Sequence, residues 1–282
     1  MTVLSVGLDT ESDAAQRAVL ASVPRLFRIS DDDEAPDVRV VSGRGSNWPD
    51  ELARAVTDGA KAVVVASPTT VEPSRVRALA RAVAGRSVVA VDTPYATNRT
   101  WEAAKEEVVA DADTASIVDS LVTAEAGGLA TALLDQLALV RPLFSPTGAV
   151  RVLHRGERAY ALTFPTTGPR VTLSGAVSPA GHTGLTLNVV GPTRRWQVRF
   201  ADTAVASPAE MTRHEATGAQ SLPLLFESGR RVTWQSLHQA LTGDGRIGYS
   251  VDQLAEAMDT ATRAFSHDQI RYAAAGNRVM PQ

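Results

Sequence analysis

The stretch Ala60–Pro94 limits what this chain can fold into more than any other. It opens with a continuous apolar run, Ala62–Ala66, which stops at Ser67-Pro68. From Pro73 to Ala84, the residues Val76, Leu79, Ala80 and Val83 recur on one stripe of a helix. Gly85 breaks the chain, and a second apolar run, Val88–Val91, ends at Asp92-Thr93-Pro94. A run rich in β-branched residues, without alternation and bounded by turn residues, predicts a strand buried on both faces. Strand, helix and strand in ~35 residues predict a βαβ unit with its strands parallel in one sheet.

The preceding residues repeat this pattern. Thr2–Leu8 reads as a strand, and Asp9, Thr10 or Ser12 can cap a helix over Ala14–Ala21 with Ala15, Val19 and Ala18 as inward candidates. Leu26–Ile29 and Val38–Val41 are further strands, separated by the acidic turn Asp31-Asp32-Asp33-Glu34. Pro49–Thr57 is a helix with proline in its first turn. The expectation is a Rossmann-like α/β domain over residues 1–95.

After Pro94 the pattern changes. Thr100–Glu107 reads as a helix and Ala115–Val122 as a strand. Leu129–Leu143 is a helix expected to bury Ala130, Leu133, Leu134, Leu137 and Val140. From Ala149 the period becomes two, with Val150, Val152 and His154 alternating against Arg151, Leu153 and Arg155. Arg158–Phe164, Val171–Val177, Gly184–Val190 and Arg195–Ala201 continue it, with Trp196, Val198 and Phe200 on one face. This predicts an α+β domain, residues 96–282, on an open and largely antiparallel meander. Val232–Leu241 is a helix. Ser250 and Gln253 form a capping box for a last helix, whose stripe of Leu254, Met258, Ala261 and Phe265 returns to the core.

Composition narrows the function classes. The net charge is −3 with both signs interspersed, which argues against nucleic-acid binding. The chain has no cysteine, so disulfides, thiolate metal sites and a cysteine nucleophile are excluded together. The histidines, at 154, 182, 214, 238 and 267, show no metal-ligand spacing, and no metal is expected. No apolar run approaches the roughly 20 residues of a membrane span, so the expectation is a cytoplasmic protein without membrane contact.

The order of elements resembles the Gfo/Idh/MocA oxidoreductases. AKAVVVASPTTVEPSRVRALARAVAGRSVVAVDTPYA resembles the family's stretch that ends in Glu-Lys-Pro. GGLATALLDQLALVRPLFSPTGAV resembles its helix that begins near Gly-Gly and carries Asp, His and Asp before an Arg. YSVDQLAEAMDTATRAF resembles its C-terminal helix. The resemblance implies a Rossmann domain ahead of an open-sheet domain, NAD(P) chemistry, and a homodimer formed through the outer sheet face. Thr172, Thr186, Gln197 and Arg199 are expected on that face and make it rather polar.

The chemistry departs from the family at each motif. Its G-x-G-x-x-G turn reads Gly7-Leu8-Asp9-Thr10-Glu11-Ser12, so only Gly7 remains and two carboxylates stand where a diphosphate would sit. Its Glu-Lys-Pro reads Asp92-Thr93-Pro94, with Thr93 in place of the catalytic lysine. Its Asp, His and Asp positions fall on Thr131, Asp135 and Ala138. The segment between Pro94 and Gly127 is also shortened.

The reading is therefore a divergent homologue with eroded motifs, a non-redox or accessory protein of specialised metabolism. Its expected substrate is a small molecule or peptide, and no cofactor is expected. An active NAD(P)-dependent enzyme with an unusual site, or a homodimeric scaffold, are the alternatives. The candidate catalytic residues are Asp135, Asp92 and Tyr95. Asp92 and Tyr95 lie where a parallel strand ends, and an ordinary turn would explain them equally. Asp135 could be a buried acid with a raised pKa or a solvent-facing carboxylate. If a dinucleotide binds, Gly7, Asp31, Ser67 and Pro68 would hold it, and otherwise Asp31 belongs to a solvated turn.

Overall fold

The computed structural model describes residues 2–8, 14–31, 34–178, 183–201, 207–243 and 245–265. The first elements are β1 (Leu4–Leu8), α1 (Ala14–Ser22), β2 (Phe27–Ile29), β3 (Val38–Ser42), α2 (Trp48–Thr57), β4 (Ala62–Ala66), α3 (Pro73–Val83) and β5 (Val88–Val91). They are followed by α4 (Arg99–Ala112), β6 (Ile117–Ala124) and α5 (Leu129–Val140), which ends in a single 3-10 turn at Arg141–Leu143. Then come β7 (Arg151–Arg155), β8 (Ala159–Phe164), β9 (Arg170–Val177), β10 (Gly184–Val190), β11 (Arg194–Phe200), β12 (Glu210–Glu215) and β13 (Gly218–Ser221). Two helices close the described chain, α6 (Gly229–Thr242) and α7 (Val251–Phe265).

Among the described residues these strands form two sheets. The first is five-stranded and parallel, in the order β2-β1-β3-β4-β5. Every residue of β4 is buried, as its unbroken apolar run predicts. Ala62, Val64 and Ala66 pack with Leu20 of α1 and with Trp234 and Leu237 of α6. Val63 and Val65 pack on the opposite face, with Trp48, Leu52, Val76 and Leu79 of α2 and α3. The helix α7 lies along α3 and α5 and touches β5 and β7, which joins the two parts of the chain into one core.

The second sheet has eight strands in the order β13-β12-β11-β10-β6-β9-β8-β7. Its inner face buries Val118, Leu162, Leu173, Leu187, Trp196 and Val198. This makes the fold an α/β Rossmann-like domain followed by an α+β domain with an open, largely antiparallel sheet.

Several expectations change. The sheet is not a simple meander, because β6 arrives from α4, enters between β9 and β10, and runs parallel to β9. The strands β12 and β13 were not anticipated, since β13 is exposed along its length and carries no apolar period. The alternation in β7 fails at a register shift between Val152 and His154, which leaves both Leu153 and His154 exposed. Within α1 the buried residues are Gln16 and Leu20, while Ala18 is exposed and Ala15 and Val19 are half-buried. A glutamine takes the core position there because its amide has buried polar partners. In α5, Ala130 is half-buried and Leu129 takes its place in the core. The helix α4 continues to Ala112, with Val108 and Ala112 buried. The capping box of α7 is present: Ser250 N–H donates to Gln253 Oε1 at 2.8 Å, and Gln253 N–H to Ser250 Oγ at 3.3 Å.

Candidate active site

A doubly wound parallel sheet opens a crevice at the carboxyl ends of its strands. Gly7, Asp31, Ser67, Pro68, Asp92 and Tyr95 all lie at or just beyond those ends, in β1, after β2, after β4 and after β5. Ser67 is in the left-handed region (φ 50°), a conformation that strains a non-glycine residue and is held here where β4 turns away from the sheet.

Asp92 is 3% exposed, and its carboxylate is engaged from two sides. Its Oδ2 accepts a hydrogen bond from Gln16 Nε2 at 2.8 Å and from Arg230 Nε at 2.9 Å. Gln16 Oε1 in turn accepts from Trp234 Nε1 at 2.9 Å. A buried charge is tolerated when it is paired and hydrogen-bonded. This network ties α1, β5 and α6 together. Next to it, Thr97 Oγ1 donates to Thr93 O at 2.6 Å, and Thr233 Oγ1 donates to Gly229 O at 3.1 Å.

Asp135 sits on α5 and is half-buried. Its pKa is pushed up to about 8, first by burial and then by the negative charge of Asp92, with Arg230 opposing. Around Asp135 are two tyrosines. Tyr160, on β8, donates its hydroxyl to Gln136 Oε1 at 2.8 Å. Gln136 then donates to Ser120 Oγ at 3.0 Å and Ser174 O at 3.2 Å. Tyr249, just ahead of α7, is 5% exposed, and its hydroxyl has no partner among the described residues. The Thr93 hydroxyl, 3% exposed, has none among them either. Burial and the Asp135 carboxylate hold both phenols protonated well above the usual tyrosine range.

The remaining expected residues sit apart from this cluster or serve packing. Tyr95 is buried against Phe200, ring centroids 5.2 Å apart, and borders a cavity of about 320 Å³ between α1 and the start of α6. Asp31 is exposed. Gly7 has no room for a side chain, because a Cβ there would stand 2.8 Å from Pro36 Cγ. Its missing side chain thus makes room for Pro36. The remaining glycine-turn positions, Asp9 to Ser12, lie outside the described residues, as do Asp32, Asp33, His182 and His267.

The resemblance places the family's catalytic lysine at the Thr93 position. The chain has two lysines, Lys61 and Lys105. Lys61 precedes β4 at the opposite edge of the sheet and pairs with Asp37 at 2.7 Å, while Lys105 lies within α4 beside Glu102. Among the described residues neither lysine reaches the Thr93 edge, and the cation beside it is Arg230, 2.9 Å from Asp92.

Sequence reasoning missed Gln16, Arg230 and Tyr249. Arg230 follows Ser228-Gly229 at the start of a helix, and Tyr249 precedes a capping box, so both positions were visible as helix starts. Their meeting with Asp92 and Asp135 depends on contacts more than 100 residues apart in the chain, which no local pattern carries.

No family model matches the chain, and no curated protein matches its sequence. Solved structures do match. UDP-N-acetylglucosamine 3-dehydrogenase GnnA from Acidithiobacillus ferrooxidans superposes with a TM-score of 0.73 at 10% identity, over 94% of this chain and 97% of that one. A protein provisionally assigned as an NADPH-dependent oxidoreductase, from Desulfitobacterium hafniense, gives 0.76 at 11% identity, over 95% and 96%. A protein provisionally assigned as an oxidoreductase, from Magnetospirillum magnetotacticum, gives 0.67 at 16% identity, over 94% and 99%. Such neighbours are oxidoreductases of the Gfo/Idh/MocA type, so the resemblance read from the sequence holds at the level of the fold.

Proposed function

We propose that this Gfo/Idh/MocA-like chain carries a proton-transfer site where its structural neighbours are oxidoreductases, with Asp135 as the acid. The observation that carries this reading is the Asp135 carboxyl, half-buried beside the Asp92–Arg230 ion pair and pushed up to about 8. At pH 7 such a group is mostly protonated and donates, and above pH 8 it accepts. Two carboxyls held apart in this way divide the work. Asp92 is engaged by Gln16 and Arg230, which leaves Asp135 to exchange the proton. We read the chemistry as non-redox, on a small organic substrate, because the positions that the resemblance assigns to holding a dinucleotide and to the catalytic lysine are replaced at the Gly7 turn and at Thr93.

A second reading keeps NAD(P) as cofactor, with Asp135 relaying the proton. The fold of the neighbours supports it, since one of them is provisionally assigned as NADPH-dependent. Thermal unfolding with NAD⁺, NADH, NADP⁺ and NADPH separates the two. A ligand at a hundred times its dissociation constant stabilises by about 2.7 kcal/mol, a shift of roughly 5 °C or more for a chain of this size. No shift with any of the four is expected from the proton-transfer reading. A shift with one nicotinamide pair would replace it with the second.

The partner surface we assign to this function is the outer face of the eight-stranded sheet. It exposes Ile117 and Leu121 among polar residues, and no described helix covers it. A second copy packed there makes a homodimer.

A further inference from the structure

We infer that Tyr249, together with Thr93, forms the substrate-oxygen pocket of this site and holds an uncharged carbonyl oxygen beside Asp135. The inference rests on the reading of Asp135 as the proton-transferring group. Two buried hydroxyls, one on each side of a packed junction, have no partner among the described residues. An unpaired buried hydroxyl costs free energy that a native fold normally avoids, so each of the two points to a group the chain itself does not supply.

Their placement in the fold brings them to the same site. Thr93 follows β5 and adjoins Asp92. Tyr249 precedes α7, which packs on both α5 and β5. Its neighbour Gly248 lies against the turn after β5, with Thr97 Cγ2 3.6 Å from where a side chain would begin. Glu256 and Arg141 also act on the Tyr249 phenol, in opposite directions, with burial and the Asp135 charge dominant. The phenol therefore keeps its proton and donates. The Thr93 hydroxyl and a protonated Asp135 can donate as well. Three donors can converge on one acceptor atom, and the carbonyl oxygen is the acceptor whose neighbouring carbon exchanges protons. A cationic amine would have to be desolvated in this buried place, which an uncharged carbonyl avoids.

The experiment uses acetamide as a neutral carbonyl probe and methylammonium as its cationic counterpart. Each is titrated into the full chain with the Asp135 carboxyl carbon observed by ¹³C NMR, assigned by its absence in Asp135→Asn. Acetamide is expected to move that signal, and the concentration needed is expected to rise about tenfold or more in Tyr249→Phe, the loss of one hydrogen bond. Thr93→Val should weaken the response in the same direction. Methylammonium is expected to leave the signal in place. An equal acetamide response in wild type and Tyr249→Phe, no acetamide response at all, or a stronger response to methylammonium would each overturn the inference. So would unfolding of Tyr249→Phe, since the hydroxyl would then serve the fold. An Asp135 midpoint near 4 would remove the acid reading instead, and a midpoint near 8 with indifference to acetamide would remove only the oxygen pocket.

Discussion

Asp135 is where one residue's environment and its chemistry meet. An unfolded aspartate titrates near 3.9, whereas here it is pushed up to about 8 by burial and by Asp92. Between those values the folded chain holds a proton that the unfolded chain has lost. Stability therefore falls as pH rises from about 4 to about 8 and levels off above. Asp135→Asn keeps the shape of the neutral acid and removes the proton. Its melting temperature should match the wild type near pH 4 and exceed it at pH 8, by on the order of 5 °C. A gain that is the same at both pH values, or a loss at pH 8, would show that the carboxyl is ordinary. The sequence pointed to Asp135 through its position on α5, in the family's histidine place. It left open whether the side chain faced the interior, because α5 is apolar around most of its circumference and its period does not single out a face.

At the scale of elements, α6 is held at its N-terminus by polar contacts and along its length by apolar ones. Arg230 reaches Asp92 at 2.9 Å, and Trp234 and Leu237 cover the sheet. Replacing Arg230 by Met leaves the Asp92 charge buried without its cation. A destabilisation of about 3 kcal/mol is expected by denaturant unfolding, and a loss below about 0.5 kcal/mol would contradict the anchoring role. Gly229 gives a sharper case. Alanine is the better helix former by about 1 kcal/mol, yet a Cβ at Gly229 would stand 2.5 Å from Pro94 O. The clash is expected to win, so Gly229→Ala should lower stability by about 1–3 kcal/mol, where propensity alone predicts a rise. The helix itself was legible as Val232–Leu241, but its first turn was not. Gly229 and Arg230 break the apolar pattern because they serve the loop after β5 and Asp92, while Arg231 pairs with Glu227.

At the scale of the whole molecule, the parallel sheet was legible because β4 is buried on both faces and leaves an unbroken apolar run. The insertion of β6 was not legible, because pairing order in a sheet depends on contacts distant in sequence. The division proposed at residue 95 also meets a packing constraint, since α6 covers one face of the first sheet and α7 packs on α3. A fragment of residues 1–95 lacks both helices and should not show a cooperative melt, whereas a cooperative melt would mean that the first sheet is sufficient alone. The uncovered face of the eight-stranded sheet should give a dimeric mass in light scattering at micromolar concentration, with Leu121→Glu shifting it towards the monomer. A monomeric wild type would remove that surface from the account. The central claim, that this fold carries a proton-transfer carboxyl, is tested most directly by following the Asp135 side-chain carboxyl through pH 3 to 10 by ¹³C NMR. A midpoint near 8 is the result predicted here, and a midpoint near 4, the value of an ordinary exposed aspartate, would contradict it.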